Sequence, residues 1–327
     1  MQQVNTYADV GGVETNSTVD FGRGTLTAGG SIRAGVAHGQ LTLEGDSFTN
    51  AGSIAISASE TVTAGAANFY NTGSIGIGVG STLDLNLFNY FANGSLAAES
   101  FSNYGSIVLT GGTMAELTDN GVFPNVPLLN ATGASIAGAG VVASQITNYG
   151  TIEAHGGVLN LVQAIAGVGA LKVDAGATLV LGGVSNGQIA SFSGVGGVLG
   201  LTPAAFLGAI GGFAAGDTLD LFTIKARSAA FSGHALVVTL SNGATIRLAT
   251  TSALSGTLSV TAGVHGDSLI RFAGAAFGPP PLLAFWGDPA PAAAIGIPDH
   301  HAALSWDDGP HVSSGAEFGW MHQIHAV

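Results

Sequence analysis

An all-β fold, a right-handed parallel β-helix of about 22 residues per coil, is what the sequence predicts. Three observations carry it: a short phrase that recurs along the chain, runs of alternating apolar residues between its copies, and a composition rich in glycine and poor in charge. The phrase is an aromatic residue or Ile, any residue, Asn, any residue, Gly, Ser or Thr, and Ile. It occurs as FTNAGSI (Phe48 to Ile54), FYNTGSI (Phe69 to Ile75), FSNYGSI (Phe101 to Ile107) and ITNYGTI (Ile146 to Ile152). A degenerate copy, FANGSL, runs from Phe91 to Leu96, and GGSI at Gly29 to Ile32 is the tail of another. The closing aliphatic residues fall at 32, 54, 75 and 96, and the interval from 107 to 152 is 45, close to two periods. A fixed period of this length marks a solenoid.

The alternation says which solenoid. Ile54-Ala-Ile56, Ile75-Gly-Ile77-Gly-Val79 and Ile107-Val-Leu109 follow the phrase, while Leu41-Thr-Leu43, Leu83-Asp-Leu85-Asn-Leu87, Leu159-Asn-Leu161 and Leu171-Lys-Val173 lie between copies. Period-two runs this short read as half-buried strands. Leucine-rich repeats share the length but need L-x-x-L-x-L-x-x-N, which is missing. Three strands and three turns per coil fit, and residues 20–200 hold roughly eight coils, each rising about 4.8 Å.

Each repeated residue then has a role. Phe48, Phe69, Phe101 and Ile146 are expected to stack inside. Asn50, Asn71, Asn103 and Asn148 are expected to form an asparagine ladder at one bend, bonding one another and the turn backbone. Gly52, Gly73, Gly105 and Gly150 are expected to supply a positive φ. Asn16, Asn93 and Asn130 fit the N-x-S/T glycosylation pattern and are read as ordinary turn residues. Residues 113–135, with Asp119, Asn120, Gly121, Pro124 and Pro127, are read as a loop projecting from one bend, with or without a distorted coil.

Residues 1–200 are thus assigned to the β-helix and 201–275 to a short helix plus β-rich distal coils or a cap. The helix is expected from Thr202 (cap) and Pro203 (first turn) to Gly211-Gly212 (stop). A hairpin is expected about Asn242-Gly243, between Leu236–Leu240 and Thr245–Leu248, with further strands at Leu258–Val260 and Leu269–Phe272. Residues 276–327 are read as a linker and an irregular tail, and they hold Trp286, Trp306 and Trp320, all the tryptophans.

Composition narrows the function. Glycine is 52 of 327 residues without a G-X-Y period, and charged residues are only 8% against 46% hydrophobic. Such a chain buries a large apolar surface and covers its faces with Ser, Thr, Asn and Gly. Net charge is −13, and no segment concentrates Lys or Arg, so nucleic acid is not an expected partner. Cysteine is absent, which removes disulfides and thiolate metal sites. No apolar run reaches the length of a membrane span, so membrane insertion is not expected. MQQVNTYADV shows no signal-peptide pattern.

The run PAAFLGAIGGFAAGDTLDL (Pro203 to Leu221) resembles a phrase of very large bacterial secreted β-repeat proteins, and the F-x-N-x-G-S-I coils are similar to those of autotransporter passengers and filamentous-haemagglutinin-type adhesins. The resemblance covers residues 20–272. It implies export, an extracellular or cell-surface location, and a structural or adhesive role. No translocator barrel and no calcium-binding GGxGxDxUx nonapeptide accompany it.

Candidate chemistry is sparse, and no cofactor is expected. Tyr104 and Tyr149 follow ladder asparagines, in the slot held elsewhere by Ala51 and Thr72. They are expected to face outward two coils apart and to stack on sugars. Glu153 and His155 share an outward face and are the best pair for the alternative reading, a β-helical polysaccharide lyase or hydrolase. Asp84, Glu99, Glu116, Asp119 and Asp174 are scattered. His300, His301, His311, His322 and His325, with Asp299, Asp307, Asp308 and Glu317, match no metal-ligand spacing and are read as a solvated tail. Expected partners are glycans or surface proteins, and further coils added end to end. A fragment without autonomous activity is the remaining reading.

Overall fold

The computed structural model describes residues 2–9, 16–20, 23–35, 39–45, 47–57, 59–66, 68–85, 100–115, 127–263 and 266–273. The tail's tryptophans, histidines and acids lie outside them, as do Asn93, Glu99, Glu116, Asp119 and Leu87. The described residues contain 28 β-strands and no helix. Up to Leu221 every strand pairing among them is parallel.

The pairings sort into three columns of stacked rungs, and each column presents one inward row. In the first, Phe48 pairs with Phe69, Phe69 with Phe101, Leu128 with Ile146, and Ile146 with Ile165. In the second, Ile32, Ile54, Ile75, Ile107, Ile136, Ile152, Leu171, Ala190 and Ile210 follow one another in register. In the third, the order is Leu41, Val62, Leu83, Met114, Val142, Leu161, Leu181, Leu201 and Leu221. All are buried. Alternate residues face outward because strand side chains alternate sides, so one short period-two run per column builds a continuous apolar interior. The phenylalanine rings stack with centroids 5.0 Å (Phe48–Phe69) and 4.8 Å (Phe69–Phe101) apart.

The rung-to-rung step is not constant. It runs from Ser31 to Ser53, Ser74, Ser106, Ser135, Thr151 and Ala170, which is 22, 21, 32, 29, 16 and 19 residues. Turns absorb the difference, with register shifts between Thr110 and Gly112, Gly138 and Gly140, and Asn186 and Ile189, while the inward rows stay aligned. The 45-residue interval therefore holds two unequal steps. The FANGSL copy lies outside the described residues, and no rung intervenes between Phe69 and Phe101, which pair directly. The expected loop over 113–135 also changes: Thr113, Met114 and Ala115 belong to one strand, Leu128–Asn130 is a rung of its own, and only 116–126 falls outside the described residues.

The helix expected over 202–212 is absent. The Thr202 carbonyl accepts from the Ala205 and Phe206 N–H groups (2.9 and 3.2 Å), a single turn. Phe206–Gly211 then forms a strand on Ser185–Ser193. Three glycines, at 208, 211 and 212, weaken a helix by about 1 kcal/mol each, whereas the strand buries Phe206 and Ile210 in the interior rows. Pairing across rungs outweighs the local capping signal.

Beyond Leu221 the strands pair antiparallel with one another, and one of them, Thr245–Thr250, also pairs in parallel with the column strand Phe206–Gly211. Ala226–Phe231, Ala235–Leu240 and Thr245–Thr250 form a meander, with the expected turn at Asn242-Gly243. Leu258–Ala262 and Ser268–Phe272 form a second hairpin. Ala249 and Thr250 pair with Ala209 and Ile210, and Ser268–Arg271 runs antiparallel along Thr218–Leu221, so two of the three columns end on a strand of this unit. Phe213 meets Phe192, Phe231 and Phe272 at centroid distances of 5.4, 6.4 and 5.8 Å beneath it.

Candidate functional site

The corner after the first column is built by the asparagines. Asn50 Nδ2 donates to Asn71 Oδ1 (2.7 Å), Asn71 to Asn103 (2.7 Å), Asn103 to Asn130 (2.8 Å) and Asn130 to Asn148 (2.8 Å). The second Nδ2 hydrogen reaches a backbone carbonyl of the next rung: Ser74, Ser106, Ser135, Thr151 and, for Asn148, Ala170. Oδ1 also accepts from a following N–H, Gly52 for Asn50 and Gly105 for Asn103. All five are fully buried with both donors used, which is the condition for burying an amide without a desolvation penalty.

Two members were not expected. Asn130, read from its sequon as a turn residue, is the rung between Asn103 and Asn148, and its burial closes it to glycosylation. Its signal was legible in Asn130-Ala-Thr-Gly-Ala-Ser135-Ile136, the same phrase with a turn two residues longer. The ladder then meets Gly167, which has no side chain, and Gln188 from the following rung reaches back to fill the place. Asn148 Nδ2 donates to Gln188 Oε1 (2.9 Å), and Gln188 Nε2 donates to the Ala166 carbonyl (3.0 Å). At the other end Leu26 stands in register with Asn50.

The glycines after the ladder are needed for a different reason than expected. Gly73, Gly105 and Gly150 do not have a positive φ. A Cβ on Gly73 would stand 2.1 Å from the Gly52 carbonyl oxygen, one on Gly105 2.1 Å from that of Gly73, and one on Gly150 2.3 Å from that of Ala134. Glycine is required because each turn lies directly against the carbonyl of the rung before it.

Tyr104 and Tyr149 project from this corner and are 51% and 48% exposed. Their N–H groups are tied down, donating to the Asn71 carbonyl (2.7 Å) and the Asn130 carbonyl (2.8 Å). In successive rungs the slot holds Ala51, Thr72, Tyr104, Ala131, Tyr149 and, next to Gly167, Val168. The two rings thus flank a single alanine two rungs apart, about 10 Å. Val168 extends the apolar stripe at 76% exposed. A rigid base with two planar rings at this spacing suits stacking on flat apolar faces of a ligand.

Glu153 and His155 do lie on one outward side, but His155 is not joined to Glu153. Its Nδ1 meets Asp174 Oδ2 of the next rung at 2.6 Å, and Ser193 Oγ lies 3.5 Å from Asp174 Oδ1 one rung on. Glu153 stands in register with Lys172. The hydrogen bond to His155, followed by that from the Ala175 N–H, holds the Asp174 carboxyl below the usual carboxylate range. Asp84 is buried at the end of the third-column strand Thr82–Asp84. Among the described residues no three His, Asp or Glu side chains converge as a metal site. No protein-family model matches the chain, and no curated protein matches it.

Proposed function

We propose that the chain is a right-handed parallel β-helical segment of an exported bacterial surface protein, an adhesive rod that binds glycans through the Tyr104–Tyr149 face. Three columns of parallel rungs in register and a continuous asparagine ladder support the solenoid. The single observation that carries the binding role is the pair of half-exposed rings in the same slot of alternate rungs. Each contact of this kind is weak, and a repeating surface gains affinity through multivalency.

The test is glycan-array binding of the full chain beside a Tyr104→Ala, Tyr149→Ala double variant. Alanine already occupies this slot at Ala51 and Ala131, so the variant retains its ladder and its fold. Loss of binding supports the role, and unchanged binding ends it. The alternative, a polysaccharide-active enzyme, draws on the His155–Asp174 pair. A reducing-sugar and unsaturated-product assay on acidic polysaccharides separates the two, with turnover lost in His155→Ala as the result that favours the enzyme.

A further inference from the structure

The third column carries an outward row as well as an inward one. Gln40, Thr61, Thr82, Thr113, Val141, Asn160, Val180, Gly200 and Asp220 follow in register along it. The first four positions are polar and at least partly exposed, and after Val141, Val180 and Gly200 the row returns to a polar residue at Asp220. The last three are buried, because the chain after Leu221 turns back over them: the Phe222 ring lies where a Cβ on Gly200 would be, and Ser268–Arg271 pairs along the same strand. A carboxylate whose register calls for solvent is thereby closed in, 3% exposed, with Oδ1 buried and without a hydrogen-bond partner. Its neighbour Asp217 is buried too, but accepts from the Gly197 and Ala214 N–H groups. Asp267, 8% exposed at the start of the returning strand, accepts from the Thr223 N–H (3.2 Å).

We propose that the Asp220 carboxyl, closed beneath the returning chain beside Asp267, is a proton-operated latch: protonated, it lets the terminal hairpin lie on the last parallel rung, and ionised, it loosens that closure. A buried carboxylate without donors is costly, and the neutral acid is the form that suits the place. The charged groups on the surrounding segments are Asp217, Asp267, Lys225, Arg227 and Arg271; Val198–Leu201 and Leu258–Ala262 carry none. Lys225 and Arg227 line a shallow hollow with Asp267, so the place does not favour a divalent cation, which would also lack a third acidic ligand. Burial first, then the Asp267 charge, pushes Asp220 up to about 7.

The sign follows from linkage. An unfolded aspartate titrates near about 3.9, so between there and about 7 the folded chain holds the proton that the unfolded chain has lost. This group's stabilisation is complete below about pH 4, declines as pH rises, and is gone above about pH 7.

The test is thermal unfolding of the full chain between about pH 5 and about pH 9, with and without calcium, beside Asp220→Asn. A carboxyl NMR titration of the wild-type protein accompanies it. The latch predicts a melting temperature that falls towards neutral pH in the wild type, a flatter profile in Asp220→Asn, and a more stable variant at alkaline pH. It also predicts a carboxyl titrating near neutrality even where the variant fails to fold. A profile unchanged by Asp220→Asn, or an Asp220 resonance titrating in the ordinary acid range, overturns it. Saturable stabilisation by calcium that Asp220→Asn abolishes also overturns it, making the pair a cation site.

Discussion

The ladder corner of the parallel columns and the last rung, where the antiparallel terminal unit closes on it, handle buried polar groups in opposite ways. In the ladder, Asn50, Asn71, Asn103 and Asn130 each find an asparagine one rung on, because translation along the stack presents an identical group at the right place, and Asn148 is completed by Gln188 from two rungs on. Four amides are satisfied by one repeated geometry and the fifth by a longer side chain reaching across a rung. At the last parallel rung the repeat ends, and Asp220 is covered by whatever the returning chain brings, leaving one oxygen unmatched. Repetition solves hydrogen bonding for the ladder amides, though not for every group in the columns, where Ser81 Oγ, Ser144 Oγ, Asn160 Oδ1 and Ser185 Oγ are also buried without a partner. Ending the repeat must solve it afresh.

Backbone crowding separates the ladder glycines from the glycine of the terminal Asn242-Gly243 turn. Gly105→Val is the substitution with the largest expected effect, since its Cβ would sit 2.1 Å from a fixed carbonyl. A loss beyond about 4 kcal/mol, read as failure to fold or a collapsed chemical-denaturation midpoint, is predicted. Gly243 in the terminal turn has open space about it and a φ of 85°, so Gly243→Ala should cost only about 1 kcal/mol. Equal costs would erase the distinction.

Phe69→Ala comes next. The ring is fully buried between Phe48 and Phe101, and its removal should cost about 3–5 kcal/mol in denaturant unfolding. Phe231, partly exposed in the terminal cluster, should cost less on the same change. Asn103→Ala follows, at about 2–3 kcal/mol, because it strands the Asn71 donor and the Asn130 acceptor within the stack. Asn50→Leu should cost the least, about 1 kcal/mol: it ends the ladder, and Leu26 already holds the equivalent place in the preceding rung. Comparing the last two by calorimetry sharpens the account, since a ladder whose ends and middle cost the same would not be a chain of coupled bonds.

Much of this was legible in the sequence, because a repeat writes its geometry once per rung. The alternation of Ile54-Ala-Ile56 and its counterparts named the inward rows, and the phrase named four of the ladder asparagines. Asn130 was hidden by a two-residue insertion in its turn, which a fixed-period reading takes as a break. Gln188 was hidden because its longer side chain reaches across a rung where Gly167 offers none. The positive φ assigned to the ladder glycines was a local explanation of a residue whose necessity comes from the neighbouring rung. The helix assigned after Thr202 failed similarly, with capping signals outweighed by burial of Phe206 and Ile210. The closure over Asp220 had no local signal at all, since it depends on a strand nearly fifty residues downstream, Ser268–Phe272.

The most direct test of the stacked-rung account uses the absence of cysteine, which leaves the chain free for paired spin labels. Ser53, Ser74, Ser106, Ser135, Thr151, Ala170, Ile189 and Ala209 stand in one register line along the second column. Electron–electron double resonance between a label at Ser53 and labels at Thr151, Ala170 or Ala209 spans four, five and seven rungs. Distances of about 19, 24 and 34 Å, rising by one strand spacing per rung whatever the number of residues between, are predicted. Distances that follow sequence separation, or that fail to rise from Thr151 to Ala209, would contradict the stack and everything placed upon it.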